Sequence, residues 1–199
     1  MMKKMLTLLM ASLLIASTVS VKAVCSDDGA AAVGKTNLHT KDYYRDIMKR
    51  LTGRGIMIVV DATRDLLVNV LEYHPFLIKP NNHELGEIFG TEIKTREEVP
   101  PYARKLQEMG ACNVLVSMAG QGAVLAAADG SCHMAPAPKG RLVNAVGAGD
   151  SMVAGFLAGW MEKKDYVHAF HMGIAAGSAS AFSEYLAKRE EIEAVYQTI

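Results

Sequence analysis

From residue 56 onward, apolar positions switch regularly between two periods. Ile56-Met-Ile-Val-Val60 is a β-branched run of buried-strand length, and the pattern from Leu66 to Leu71 turns helical. Phe76-Leu-Ile78 predicts a second short strand, with a helical pattern after Asn81 running through Ile88. Arg96 to Met109 predicts an amphipathic helix, and Pro100-Pro101 fit only in its first turn. A hairpin from Asn113 to Ala128 continues toward His133-Met134. Two long helices follow, at about Asp150–Lys163 and Tyr166–Phe182, both rich in Gly and Ala. The small residues Ala154, Gly155, Ala158, Gly159, Ala175, Ala176 and Gly177 let these helices pack closely on each other or on a sheet. Repeated strand–helix units predict an α/β fold: a doubly wound, mostly parallel sheet with helices on both faces and a ligand crevice at the strands' carboxyl ends.

The first residues break this pattern. Met1-Met-Lys-Lys4 is basic, Leu6 to Ala16 is apolar and Val21-Lys-Ala23 ends in small residues, which is the layout of a secretory signal. The apolar run is short for a transmembrane helix, and no second run approaches spanning length. A helix and strand that imitate a signal fit the same residues, so a cytoplasmic and an exported chain both stand. The expected division is 1–24 as a signal-like or atypical segment, 25–40 as a linker of uncertain structure and 41–199 as the C-terminal part of the α/β domain.

Composition adds exclusions. The 199 residues carry zero formal net charge and 50% apolar side chains, which suits a globular domain with one substantial core. A nucleic-acid binder would show a basic face. Cys25, Cys112 and Cys132 have no metal spacing, and their odd number argues against a disulfide framework. His168 and His171 lie three apart with no third ligand nearby, which favours packing over metal binding.

Three segments carry candidate chemistry. In Asn144-Ala-Val-Gly-Ala-Gly-Asp150, a glycine-rich turn at Gly147, Ala148 and Gly149 opens an apolar helix, and Asp150 stands at its start. Backbone N–H groups at such a start hold anions. A carboxylate there would repel a phosphate, so it fits best where a proton must be removed, as in phosphoryl transfer to a hydroxyl. Helix capping by Asp150 explains the same residues equally well. In Lys79-Pro-Asn81-Asn-His-Glu84, Asn81 and Glu84 are three apart and could position Mg²⁺-bound water, with Lys79 as a point charge for phosphate. A capping box is the plainer account of that pair. Ser117, Gly120 and Gly122 allow close backbone approach to a ligand, or merely a tight hairpin.

In this order and spacing the segments resemble the PfkB-type, ribokinase-like carbohydrate kinases, with the wording nearest the branch of 1-phosphofructokinase and tagatose-6-phosphate kinase. The likeness rests on Leu77-Ile-Lys-Pro-Asn81, Val143 to Phe156 and Gly177-Ser-Ala-Ser-Ala-Phe-Ser183, and runs from about Asp42 to Ile199. It implies that Asp150 is the catalytic base and that the amides of Gly147, Ala148 and Gly149 form the anion hole. It places Asn81 and Glu84 in the family's Mg²⁺-associated motif, and Lys79, Asn81, Ser117, Gly120, Gly122 and Ser151 against the nucleotide. The implied reaction moves the γ-phosphoryl of ATP, with Mg²⁺, to a ketohexose monophosphate. Fructose 1-phosphate is the preferred acceptor, giving fructose 1,6-bisphosphate, and tagatose 6-phosphate is the alternative. Family members run to roughly 300 residues. On that comparison the chain is expected to lack the first strands, a small β lid and most sugar-binding residues. Because relatives often dimerise through that lid, a homodimer stays open.

Two rival readings remain. Gly29-Ala-Ala-Ala-Val-Gly-Lys35-Thr36 matches a P-loop, with Asp61 at the end of a Walker B-like strand, but it lacks a preceding buried strand and a following strong helix. The second rival is an inactive fragment that binds nucleotide without transferring phosphate.

Overall fold

The computed structural model describes residues 20–25 and 41–199, with side chains from Tyr44 onward. The P-loop-like Gly29–Thr36 and most of the signal-like segment therefore lie outside the described residues. Six strands form one sheet in sequence order: β1 (Ser20–Cys25), β2 (Ile56–Asp61), β3 (Leu77–Ile78), β4 (Asn113–Ser117), β5 (Ala123–Ala126) and β6 (Cys132–Ala135). β2, β3 and β4 pair in parallel, whereas β1–β2, β4–β5 and β5–β6 are antiparallel. From β2 onward, connection length explains the difference. Helices α2 (Arg64–Val68), α3 (Asn82–Phe89) and α4 (Val99–Glu108) carry the chain back across the parallel strands, while short turns join β4, β5 and β6 and can only return antiparallel.

Period-two alternation then decides which side of the sheet each apolar residue serves. Ile58, Val60, Ile78, Val114, Val116, Val124 and Ala126 share a core with Met48 and Leu51 of α1 (Lys41–Leu51), Leu67, Leu85 and Leu106. Their neighbours Val59, Leu77, Leu115 and Leu125 face the other way, onto Val153 and Phe156 of α5 (Ala148–Lys163) and Phe170 and Ile174 of α6 (Tyr166–Phe182). Both faces of the sheet are thus covered, and strands buried on both sides read as continuous apolar runs.

Two boundaries differ from the apolar pattern. The helix expected from Leu66 to Leu71 is a short α2 followed by a separate 3-10 turn, Leu71–Tyr73, closed by a left-handed His74 at φ 52°. The helix expected from Arg96 begins as a 3-10 turn, Arg96–Glu98, where Glu98 Oε2 accepts the Lys94 and Thr95 N–H groups at 2.7 and 3.2 Å, and the two prolines occupy the first turn of α4. A final helix, α7 (Arg189–Tyr196), packs on α6, where His168 is hydrogen-bonded to Tyr196 Oη at 2.8 Å and to Glu162 at 3.2 Å. Among the described residues, no helix is long and apolar enough to cross a membrane.

α5 and α6 pack through glycines spaced by four. A β-carbon at Gly155 would collide with the Met172 carbonyl and lie 2.6 Å from Ala176 Cβ, and one at Gly159 would lie 2.9 Å from Ala169 Cα. From the other side, Gly173 faces Phe156, and a β-carbon at Gly177 would sit 3.1 Å from the Ala148 carbonyl. This tight pairing seats the start of α5 over the sheet's carboxyl edge.

Candidate active site

The parallel strands bring their carboxyl ends to one edge. Asp61 closes β2, Lys79 follows β3 and Ser117 closes β4. Lys79 is 8% exposed, and its Nζ lies 3.5 Å from Asp61 Oδ1. Burying an ammonium is costly unless it is paired, and Asp61 supplies that pairing. The first turn of α5 lies against the same ammonium: a β-carbon built at Gly149 would be 3.3 Å from Lys79 Nζ. Asp61, Lys79 and Gly149 therefore form one cluster.

The turn itself is fixed from several directions. Gly147 adopts φ 79°, the left-handed region that costs glycine nothing, and its carbonyl accepts the Ser151 N–H at 2.8 Å to open the helix. The Ala148 N–H donates to the Ala145 carbonyl at 3.2 Å. Gly149 and Asp150 are the second and third helical residues, where an amide has no carbonyl four positions back within the helix. Asp150 is partly buried at this position. Upstream, the amides of Val143 and Asn144 donate to the Ala181 carbonyl at 2.8 and 3.1 Å, Asn144 Nδ2 donates to the Glu184 carbonyl, and Asn144 Oδ1 accepts the Val146 N–H. The end of α6 thus holds the loop that leads into the turn. Leu142, Val143, Val146, Tyr185 and Leu186 are exposed beside it, with Leu186 against Gly147.

The other expected residues divide. Asn81 is the N-cap of α3: its Oδ1 accepts the Glu84 N–H at 2.9 Å, and Glu84 Oε2 accepts the Asn81 N–H at 2.8 Å. Replacing Asn81 with Ala should cost about 1 kcal/mol of stability through this cap, read as a fall in thermal midpoint. Asn81 also pairs with Ser117 in a parallel bridge, and the Ser117 N–H donates to the Pro80 carbonyl at 3.2 Å, so the second and third motifs meet. Gly120 has open space around it, but a β-carbon at Gly122 would collide with the Ala135 carbonyl. Gly122 is therefore required by the approach of β6, which leaves ligand approach unnecessary as its explanation. Ser151 is turned toward α6, where its Oγ accepts from Ser180 Oγ at 2.9 Å. Sequence reasoning passed over Asp61 as the partner of Lys79, having seen it only as a P-loop acid. It missed Ser180 because nothing local marks a helical serine as bonded to another helix.

With this geometry in view, comparison with known proteins is decisive. The model of the pfkB family carbohydrate kinases matches residues 30–191. The chain belongs to that family. It is similar to the 1-phosphofructokinase of Bacillus subtilis, 47% identical over 152 residues that span 76% of this chain and 50% of the relative. It is also similar to the D-tagatose-1-phosphate kinase of Klebsiella oxytoca, 31% identical over 79% of this chain and 51% of the relative. Among solved structures, a Staphylococcus aureus protein assigned as a phosphofructokinase superposes with a TM-score of 0.76 at 37% identity, covering 84% of this chain and 54% of its own. Escherichia coli phosphofructokinase-2 in complex with substrates and products gives a TM-score of 0.73 at 26% identity, over 82% of this chain and 53% of its own. An Arabidopsis thaliana ribokinase, at 20% identity and a TM-score of 0.69, shares the fold. The chain spans about half the length of the curated relatives it matches.

Proposed function

We propose that this chain carries the phosphoryl-transfer centre of an ATP-dependent sugar-phosphate kinase. The observation that carries the reading is the meeting of the buried Lys79 ammonium with the Gly149 turn at the sheet's carboxyl edge. A cation and outward-pointing amides at a helix start are what a transferring phosphoryl group needs. In the reaction, a sugar hydroxyl oxygen attacks the γ-phosphorus, the bond to the ADP oxygen breaks, and Asp150 takes the hydroxyl proton. The Gly149 amide, with Gly147 beside it, faces the phosphoryl oxygens. The Ala148 amide joins them on exchanging its 3.2 Å bond to Ala145 for the ligand.

Mg²⁺ fits the donor set. Among the described residues no three His, Cys, Asp or Glu side chains gather as a metal cage. Mg²⁺ usually binds through one or two carboxylates, waters and substrate phosphates. The cap engages Glu84 through Oε2, and its second oxygen would accept from metal-bound water, oriented by Asn81. The exposed apolar strip from Leu142 to Val146, with Tyr185 and Leu186, offers a nucleobase a face beside the turn.

The preferred acceptor is fructose 1-phosphate, supported by the 47% identity to the Bacillus subtilis enzyme, with a tagatose phosphate as the alternative. Titration of the chain with Mg·ATP, followed by assays of ATP-dependent phosphorylation of fructose 1-phosphate and tagatose 6-phosphate, separates these readings. Lys79→Met should weaken Mg·ATP binding about tenfold, the size of one lost charge-assisted hydrogen bond. Unchanged affinity in that variant would remove Lys79 from the nucleotide site.

A further inference from the structure

Ser180 is 2% exposed, and its hydroxyl serves two elements at once. It donates to Ser151 Oγ at 2.9 Å and accepts the Ala187 N–H at 3.1 Å. Ser151 immediately follows Asp150 in the first turn of α5. Ala187 follows Leu186, whose Cδ2 would lie 2.8 Å from a β-carbon at Gly147. One buried hydroxyl on α6 therefore holds the helix side of the Gly147–Asp150 turn and the segment that lies over it.

We propose that Ser180 is a positioning residue for the phosphoryl-binding turn. It ties Ser151 and Ala187 to one point on α6, so that Asp150 and the Gly149 amide keep a single orientation toward the Lys79 edge. The proposal deepens the kinase reading and rests on it for the ligand, though not for the geometry. Further along, the α5–α6 interface is close packing of glycines on backbone and small side chains, at Gly155 with Met172 and Ala176 and at Gly159 with Ala169, with no side-chain hydrogen bond between these residues. Such contacts set how close the helices lie, but dispersion is non-directional and leaves sliding along the axes cheap. A hydrogen bond is directional and fixes the register at the end where the turn begins.

The test is amide hydrogen exchange, resolved by mass spectrometry, on the full chain and on Ser180→Ala and Ser151→Ala, together with Mg·ATP titration. Peptides covering 144–151 should exchange about five- to tenfold faster in both variants, the effect of one lost neutral hydrogen bond. Peptides covering 183–188 should do so in Ser180→Ala, which also frees Ala187. Peptides covering β2 to β4 and residues 169–177 should be unchanged. Adding Ser151→Ala to Ser180→Ala should add nothing at 144–151, because the shared bond is already lost. Mg·ATP affinity should fall by about the same factor in Ser180→Ala. Faster exchange along the whole of α5 and α6, or no change at 144–151, would overturn the proposal. If Ser180→Ala does not fold, Ser151→Ala breaks the same bond at a partly exposed position and decides the case. A wild-type chain that does not bind Mg·ATP contradicts the kinase reading alone, and the exchange pattern still decides the role of Ser180.

Discussion

Gly155→Leu should be the most destabilising single change in the described part of the chain's helical layer. The β-carbon alone would strike the Met172 carbonyl and approach Ala176 Cβ to 2.6 Å, and both belong to α6. Backbone cannot swing aside as a flexible side-chain end can, so α5 and α6 must separate and open the Phe156–Phe170 core beneath them. Overpacking costs about 1–3 kcal/mol, and the upper end is expected here. For a domain of this size that lowers the thermal midpoint by about 6–12 °C, measured by circular dichroism or calorimetry. Gly149→Ala makes the useful contrast. Its β-carbon would meet only the end of the Lys79 side chain, 3.3 Å from Nζ, so the fold should hold within about 1 kcal/mol while Mg·ATP binding weakens. A Gly155→Leu chain as stable as wild type would show that the helices do not pack as described.

What was legible in the sequence follows from the range of the forces involved. The alternation Ile58–Val59–Val60 and Val114–Leu115–Val116 marks strands buried on both faces, and the small residues of α5 and α6 mark close helix packing; both signals are local. Helix α1 carries such a local signal too, since Tyr44, Ile47, Met48 and Leu51 recur at helical spacing on the buried side. α7 has a shorter stripe, Ile192, Val195 and Tyr196, that is only half-buried, and its anchor is the distant His168. Antiparallel pairing of β1 on β2 depends on a register between segments 30 or more residues apart, which no local pattern encodes.

In the site, the glycine turn and Asp150 could be found from spacing because a helix start imposes its own residue types. The Asn81–Glu84 capping box could be read the same way, and the structure contains it. The Asp61–Lys79 pair could not, because it joins two strands through the sheet and nothing near either residue announces the other. Gly122 accommodates the end of β6, a demand set by a strand ten residues further on, which the turn alone does not announce. Ser151 looked available to a ligand and is bonded to Ser180 of the next helix.

The second large effect is expected from Asp150→Asn. The amide keeps the shape of the carboxylate and the helix start, yet it cannot accept a proton. General-base catalysis contributes about 10²- to 10⁴-fold, so phosphoryl transfer should fall by about a thousandfold. Removing a negative charge from beside the phosphates should leave Mg·ATP affinity the same or slightly tighter. The decisive measurement is therefore made on wild type and Asp150→Asn side by side: turnover of fructose 1-phosphate with ATP, and Mg·ATP titration of the same preparations. Turnover lost by about three orders of magnitude with binding retained is the result expected of a base at this turn. Equal turnover in the two chains, or intact Mg·ATP binding with no turnover even in wild type, would contradict it.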